Sequence, residues 1–144
     1  MNLFRALCVP SLVLLIVIAG CGGGSSSFNP NDVTVAVSPP SATIPAGGQV
    51  TLQATVQGSP AAPALNWLIV ELQANGASGA QCNWSGTTPP AGPCPDGTIQ
   101  GADAGSLTVT YLAPNTSGTF HVIAQDTVSL TLVKEGTAVI TVSP

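Results

Sequence analysis

Gln49-Val50-Thr51-Leu52-Gln53-Ala54-Thr55-Val56-Gln57 alternates apolar and polar residues without interruption. In an extended chain Val50, Leu52, Ala54 and Val56 share one side, and Thr51, Gln53 and Thr55 share the other. A period of two marks a strand with one face in a core and one in water. The rest of the fold follows from asking what surrounds this strand.

On its N-terminal side, Ala46-Gly47-Gly48 reads as a turn. Ala42-Thr43-Ile44 is a short piece flanked by prolines, which suits a sheet edge. Pro39-Pro40 ends an earlier alternation over residues 33–38, with Val33, Val35 and Val37 on one face. On its C-terminal side, residues 58–63 form a break and residues 64–72 a further strand, with Leu65, Trp67 and Ile69 inward. Trp67 reads as the pin of a sandwich core rather than a ligand platform. Residues 75–98 are rich in Gly, Pro and Ser, a long segment of the kind that is either functional or stapled. Strands follow at residues 106–112 (Leu107, Val109 and Tyr111 on one face), at 119–126 (Phe120, Val122 and Ala124 inward) and at 137–142 (Ala138, Ile140 and Val142 inward). Residues 128–133 are ambiguous, and Glu135-Gly136 reads as a turn. No stretch after Cys21 carries a helical period. About seven strands with breaks every 8–15 residues predict an all-β, two-sheet sandwich.

Several stretches are similar to bacterial Ig-like domains: residues 33–39 with Ala42-Thr43-Ile44-Pro45-Ala46-Gly47, the core Trp67, Tyr111-Leu112-Ala113-Pro114, and residues 138–142. The resemblance implies an Ig-like Greek-key sandwich over residues 33–144, of a kind found on exported and surface-attached proteins. The chain departs from antibody-type domains, because both Cys82 and Cys94 follow Trp67 within one segment. A fold of this type does not specify a function.

The leader decides the location. Arg5 is a short cationic start, Ala6 to Ala19 is an apolar core that contains Leu12 to Ile18, and the small residues Ala19-Gly20 precede a cysteine. The apolar run falls short of the ~20 residues that span a bilayer. Ile18-Ala19-Gly20-Cys21 resembles the lipobox of bacterial lipoproteins. That resemblance implies a diacylglyceryl thioether on Cys21, removal of residues 1–20, and further acylation of the new amino group in Gram-negative cells. Other readings of the same stretch are a retained transmembrane anchor and an ordinary cleavage that leaves Cys21 a free thiol. Two or more acyl chains hold a protein on a membrane where one is marginal. Gly22 in place of Asp favours, by the same resemblance, the outer membrane over the inner. Residues 21–32 then form a lipidated cysteine and a Gly/Ser linker with roughly 15–20 Å of reach.

With Cys8 removed and Cys21 lipidated, Cys82 and Cys94 remain. In an oxidising compartment the simplest fate of such a pair is a disulfide. Zinc is disfavoured, since two thiols twelve residues apart and a single His121 make no known ligand spacing. Removing 20 residues from 144 leaves 124, enough for one domain with an ordinary core.

Only 6% of the chain is charged, against a usual quarter. Past the leader Lys134 stands alone against six acids, which excludes a nucleic-acid partner because phosphate binding needs clustered bases. His121 is the only histidine and falls on the outward side of its strand. No Gly-x-Ser-x-Gly elbow accompanies it, and Asp96 and Asp103 lack EF-hand spacing. The sequence therefore predicts no enzyme, no cofactor and no metal. It predicts a lipid-anchored structural or protein-interaction module of the bacterial cell envelope. The alternative is a binder of carbohydrate or another surface ligand, using Trp84 on the Cys82–Cys94 segment. A tryptophan there offers a face for stacking on a sugar or for anchoring a protein contact, or it folds over the disulfide and caps the sandwich.

Overall fold

The computed structural model describes residues 29, 32–59, 63–71, 82–84 (of Trp84, the backbone), 94–126 and 133–144. Cys21, the leader and most of the linker lie outside the described residues, as do residues 128–132.

The alternation that opens the chain's reading becomes the centre of one sheet. Strand β3 (Gln49–Gln57) is flanked by β1 (Thr34–Ser38) and β7 (Thr108–Leu112), both antiparallel to it. Two short strands, β5 (Asn83–Trp84) and β6 (Thr98–Gln100), complete a five-stranded sheet in the order β1-β3-β7-β6-β5. The second sheet has four strands in the order β2-β9-β8-β4. They are β2 (Ser41–Pro45), β4 (Leu65–Ile69), β8 (Gly118–Asp126) and β9 (Lys134–Ser143). The protein is an all-β, two-sheet sandwich.

The inward residues of both sheets interlock, with Leu52, Ile99 and Tyr111 from one meeting Trp67, Ile69, Val122 and Ile140 from the other, each at most 1% exposed. Trp67 fills the centre, and its Nε1–H donates to the Ser106 carbonyl at 2.7 Å. An indole buried among apolar side chains needs such an acceptor, because an unpaired donor there is costly.

The N-terminal stretch serves both sheets. β1 pairs with β3, placing Val35 opposite Val56 and Val37 opposite Ala54. After Pro39-Pro40, which offer no N–H to continue the ladder, β2 crosses over and pairs parallel with β9, Ile44 opposite Val142. The edge position expected for residues 42–44 is the one observed.

Among the described residues nine strands stand where about seven were expected. β5 and β6 are the additions, too short for their alternation to register in the sequence. Residues 64–72 were expected as one strand, but pairing stops at Ile69 and residues 70–71 turn helical. Leu107 was expected to begin a strand and share the face of Val109 and Tyr111; it precedes β7 and is 42% exposed, while Val109 and Tyr111 are buried, and its carbonyl accepts from the Ala54 amide at 2.7 Å. Asp32, placed at the end of the linker, belongs to the folded body. Gly58, at φ +77°, passes so close that a Cβ would lie 2.5 Å from the Asp32 carbonyl oxygen.

The largest correction is at Glu135-Gly136, which is strand and not turn. Glu135 pairs with Gln125 and Gly136 with Ala124, within the β8–β9 ladder one and two pairs before it ends at Asp126 and Lys134. Gly136 is present because β1 crosses directly over it. A Cβ there would stand 2.9 Å from the Val35 carbonyl oxygen and 3.0 Å from the Ala36 backbone. Gly136→Ala is therefore expected to push the sheets apart locally and destabilise the domain by about 1–3 kcal/mol, as overpacking does. Urea denaturation followed by circular dichroism checks this.

Candidate functional site

Among the described residues two places bring polar chemistry together, one on each sheet. The first is the disulfide end. Cys82 and Cys94 are bonded, with 5.7 Å between their Cα atoms, as expected of the one pair left once Cys8 and Cys21 are set aside. Cys82 is 1% exposed and part of the core. The next residue, Asn83, donates from Nδ2 to the Trp67 carbonyl at 2.5 Å. Trp84 then pairs in parallel with Gln100 at the sheet edge. Its side chain, the sequence's candidate ligand contact, lies outside the described residues.

Beyond the bridge the chain turns sharply. The Gly97 amide donates to the Cys94 carbonyl at 3.1 Å. Gly97 has φ +94°, and a Cβ would meet the Leu112 carbonyl oxygen at 2.5 Å and the Tyr111 hydroxyl at 2.7 Å. Only glycine meets both demands. The Tyr111 hydroxyl reaches out of the core and donates to the Asp96 carbonyl at 2.8 Å. Burial, then the charges of Glu71 and Asp96, push this phenol up, so it stays neutral. Between this turn and the turn after β7 lies an open cleft of about 380 Å³, lined by Cys94, Pro95, Thr98, Pro114, Asn115 and Thr116 among others. Its lining is uncharged and offers hydrogen-bonding groups rather than acids or bases.

The second place is Glu71 with His121. His121 sits on the outward side of β8, as its position in the alternation requires, and its side chain is 43% exposed. Its Nδ1 lies 2.5 Å from Glu71 Oε1. The His121 amide also donates to both carboxylate oxygens, at 3.1 and 3.0 Å. The β4–β8 ladder ends at the Ile69–Val122 pair. Glu71 thus extends the edge of β4 with a side chain, giving the next β8 amide the acceptor that a strand carbonyl no longer supplies. Partial burial pushes the Glu71 carboxyl up. The His121 amide and ring, with Glu71's own amide, outweigh that and hold it below its ordinary value.

A group depressed on folding stabilises at neutral pH and loses that contribution as pH falls through its folded value. The unfolding free energy from denaturant titrations should therefore drop as pH falls through the ordinary carboxylate range and below it, by about 1 kcal/mol for this partly exposed pair. Glu71→Gln should flatten that acid limb. An unchanged limb would show that the contact is without energetic weight.

Asp126, the acid nearest to His121 in sequence, does not join this pair. Asp126 is on the same strand as His121 but on the opposite face, 2% exposed within the sandwich. An odd separation on one strand keeps the two side chains on different sides of the sheet. The orienting carboxylate of His121 is Glu71, fifty residues away in sequence. Asp103, which with Asp96 lacks EF-hand spacing, is exposed, and its carbonyl accepts from the Ser106 amide at 2.9 Å.

No family model matches the sequence, and no curated protein matches it. Among solved structures the sandwich is similar to a nucleoside hydrolase-related hypothetical protein from Saccharophagus degradans, described as associated with carbohydrate metabolism. The identity is 17% and the TM-score 0.46, over 77% of this chain and 25% of that one. This chain spans about a quarter of that protein's length.

Proposed function

We propose that this chain is a lipoprotein of the bacterial cell envelope, its Ig-like sandwich a non-enzymatic interaction module held at the outer membrane through acyl chains on Cys21. The observation that carries the reading is the fate of the cysteines. Cys82 and Cys94 are joined within the fold. Such bonds persist in exported proteins, and export is what a leader ending Ile18-Ala19-Gly20-Cys21 provides. The folded body begins by Asp32, so the Gly/Ser stretch after Cys21 supplies the slack between sheet and bilayer.

The non-enzymatic part of the reading is supported by how the polar groups are used. The Glu71 carboxylate serves the His121 amide and ring, and the Tyr111 hydroxyl serves a backbone carbonyl. Both are occupied in holding strands and turns together. A catalytic group needs a reacting atom within reach.

The experiment is metabolic labelling with a fatty acid in the native host. Wild-type protein is expected to take up label and to fractionate with membranes. Cys21→Ser is expected to take up none and to retain its leader. Unlabelled wild-type protein in the soluble fraction would overturn the proposal.

A further inference from the structure

The two half-cystines of the bridge sit in different surroundings. Cys82 is 1% exposed, packed among the apolar side chains between the sheets. Cys94 is only partly buried, and it lines the open, uncharged cleft between the turn at Gly97 and the turn after β7. The bond therefore runs from the core to the rim, with Cys82 at its inner end and Cys94 at its outer end.

That direction governs exchange. A thiolate opens a disulfide by attacking one sulfur and expelling the other. It approaches along the S–S axis, from the side opposite the sulfur that leaves. Attack on Cys82 would have to come through the core, and interiors packed at crystal density leave no path for a second molecule. Attack on Cys94 comes from the rim, where the cleft lies.

A second observation is independent of exposure. The backbone beside each cysteine is held by contacts that involve no sulfur. Asn83 donates to the Trp67 carbonyl at 2.5 Å and pairs with Ile99. The Gly97 amide donates to the Cys94 carbonyl at 3.1 Å, and the Tyr111 hydroxyl donates to the Asp96 carbonyl at 2.8 Å. The two cysteines thus stay near each other when the bond between them is open.

We infer that Cys94 Sγ is the site of thiol–disulfide exchange in this protein, that the cleft is the approach for a thiol-bearing partner, and that Cys82 is the resolving sulfur. The partner is of one chemical class, a disulfide oxidoreductase with a reactive cysteine pair. When the bridge forms, the Cys94 thiolate attacks one sulfur of the partner's disulfide. That S–S bond breaks, and the partner's other sulfur leaves as a thiolate. The Cys82 thiolate then attacks Cys94 Sγ in the mixed disulfide. The Cys82–Cys94 bond forms, and the partner's first sulfur leaves as a thiolate. Two electrons pass from this chain to the partner, and the protons shed by the two cysteines reach the partner's thiolates through solvent. Breakage is the reverse, with the partner's thiolate entering at Cys94 and Cys82 leaving. Apolar burial disfavours the Cys82 thiolate as a leaving group, so the bond opens slowly once made. The inference draws on the reading of this chain as exported only for the partner's compartment, and it is independent of the acyl anchor.

The test uses the full chain extracted from its host in non-ionic detergent, with glutathione as the probe. Wild-type protein is exposed briefly to reduced glutathione, quenched in acid, alkylated and mapped by peptide mass spectrometry. Glutathione is expected on Cys94 and the alkyl group on Cys82, the opposite arrangement being at least about tenfold rarer. Glutathione disulfide is then given to the single-cysteine variants. Cys82→Ala, which keeps Cys94, should form the mixed disulfide about tenfold or more faster than Cys94→Ala, and the two rates should converge in urea. Glutathione found mainly on Cys82 of the wild type would overturn the inference, as would no adduct at either cysteine until the chain is unfolded. So would a Cys94→Ala variant that keeps its strand signal in circular dichroism and reacts as fast as Cys82→Ala. Should either variant lose its fold, the wild-type map decides alone. The peptide bearing Cys21 is read separately, so a free thiol there rejects the anchor and leaves this result standing.

Discussion

Trp67→Ala is expected to lower the stability of the domain by about 3–5 kcal/mol, the range for truncating a fully buried aromatic residue. Trp67 is 1% exposed and lies between the two sheets, so its removal leaves a cavity that rigid strands on both sides cannot close. The change also strips the Ser106 carbonyl of the Nε1–H donor that reaches it at 2.7 Å. Against a total stability of about 5–15 kcal/mol for a typical domain, such a loss takes a third or more. Trp67→Phe separates the two contributions. It fills most of the space and loses the donor, with an expected cost of about 1–3 kcal/mol. Denaturant titrations followed by far-ultraviolet circular dichroism measure both. If the two variants behave alike, the hydrogen bond and not the volume fixes the centre of the core.

Reduction of the Cys82–Cys94 bridge is the second large effect. The bond joins residues twelve apart, and the chain-entropy relation gives about 3 kcal/mol for a loop of that size. The melting temperature should fall by roughly 10 °C for a domain of this length. The strand signal should survive, because β3, β7, β8 and β9 are paired independently of the bridge. Local changes should concentrate at β5, which makes only the two-residue pairing with β6. Hydrogen exchange at residues 83–84 and 98–100 is expected to rise first. A melting temperature unmoved by reductant would mean that the bridge is dispensable to the fold.

The parts of the fold that were readable in advance are those where burial imposes a period of two. β1, β3, β8 and most of β9 fall where alternation put them, β2 where its flanking prolines did, and the inward residues Val37, Leu52, Ala54, Phe120, Val122, Ile140 and Val142 are all buried. The departures have identifiable causes. Gly136 looked like a turn because glycine usually marks one; here it marks the close approach of β1, a tertiary fact with no local trace. β5 and β6 are two and three residues long, below the length at which a pattern can be distinguished from chance. Ile123, on the outward side of β8, is nonetheless 6% exposed, although alternation alone would leave it in water.

The candidate sites divide the same way. The disulfide followed from the number of cysteines and the compartment implied by the leader. The Glu71–His121 pair did not, because its partners are fifty residues apart and neither sits in a motif. A hint was present in the sequence: one histidine and few acids restrict the pairs worth considering. What was missing was the end of β4 at Ile69, which brings the Glu71 carboxylate to an amide left over by the ladder. The place of Trp84 opposite Gln100 was likewise hidden, since it depends on the parallel pairing of β5 with β6.

The central claim is that this sandwich is tethered to a membrane by acyl chains on Cys21. Mass spectrometry of the N-terminal peptide, from protein extracted from its native host, tests it most directly. The expected result is a peptide that begins at Cys21 and carries a diacylglyceryl group. A peptide that carries the unmodified thiol of Cys21, or one that begins at Met1, would contradict it.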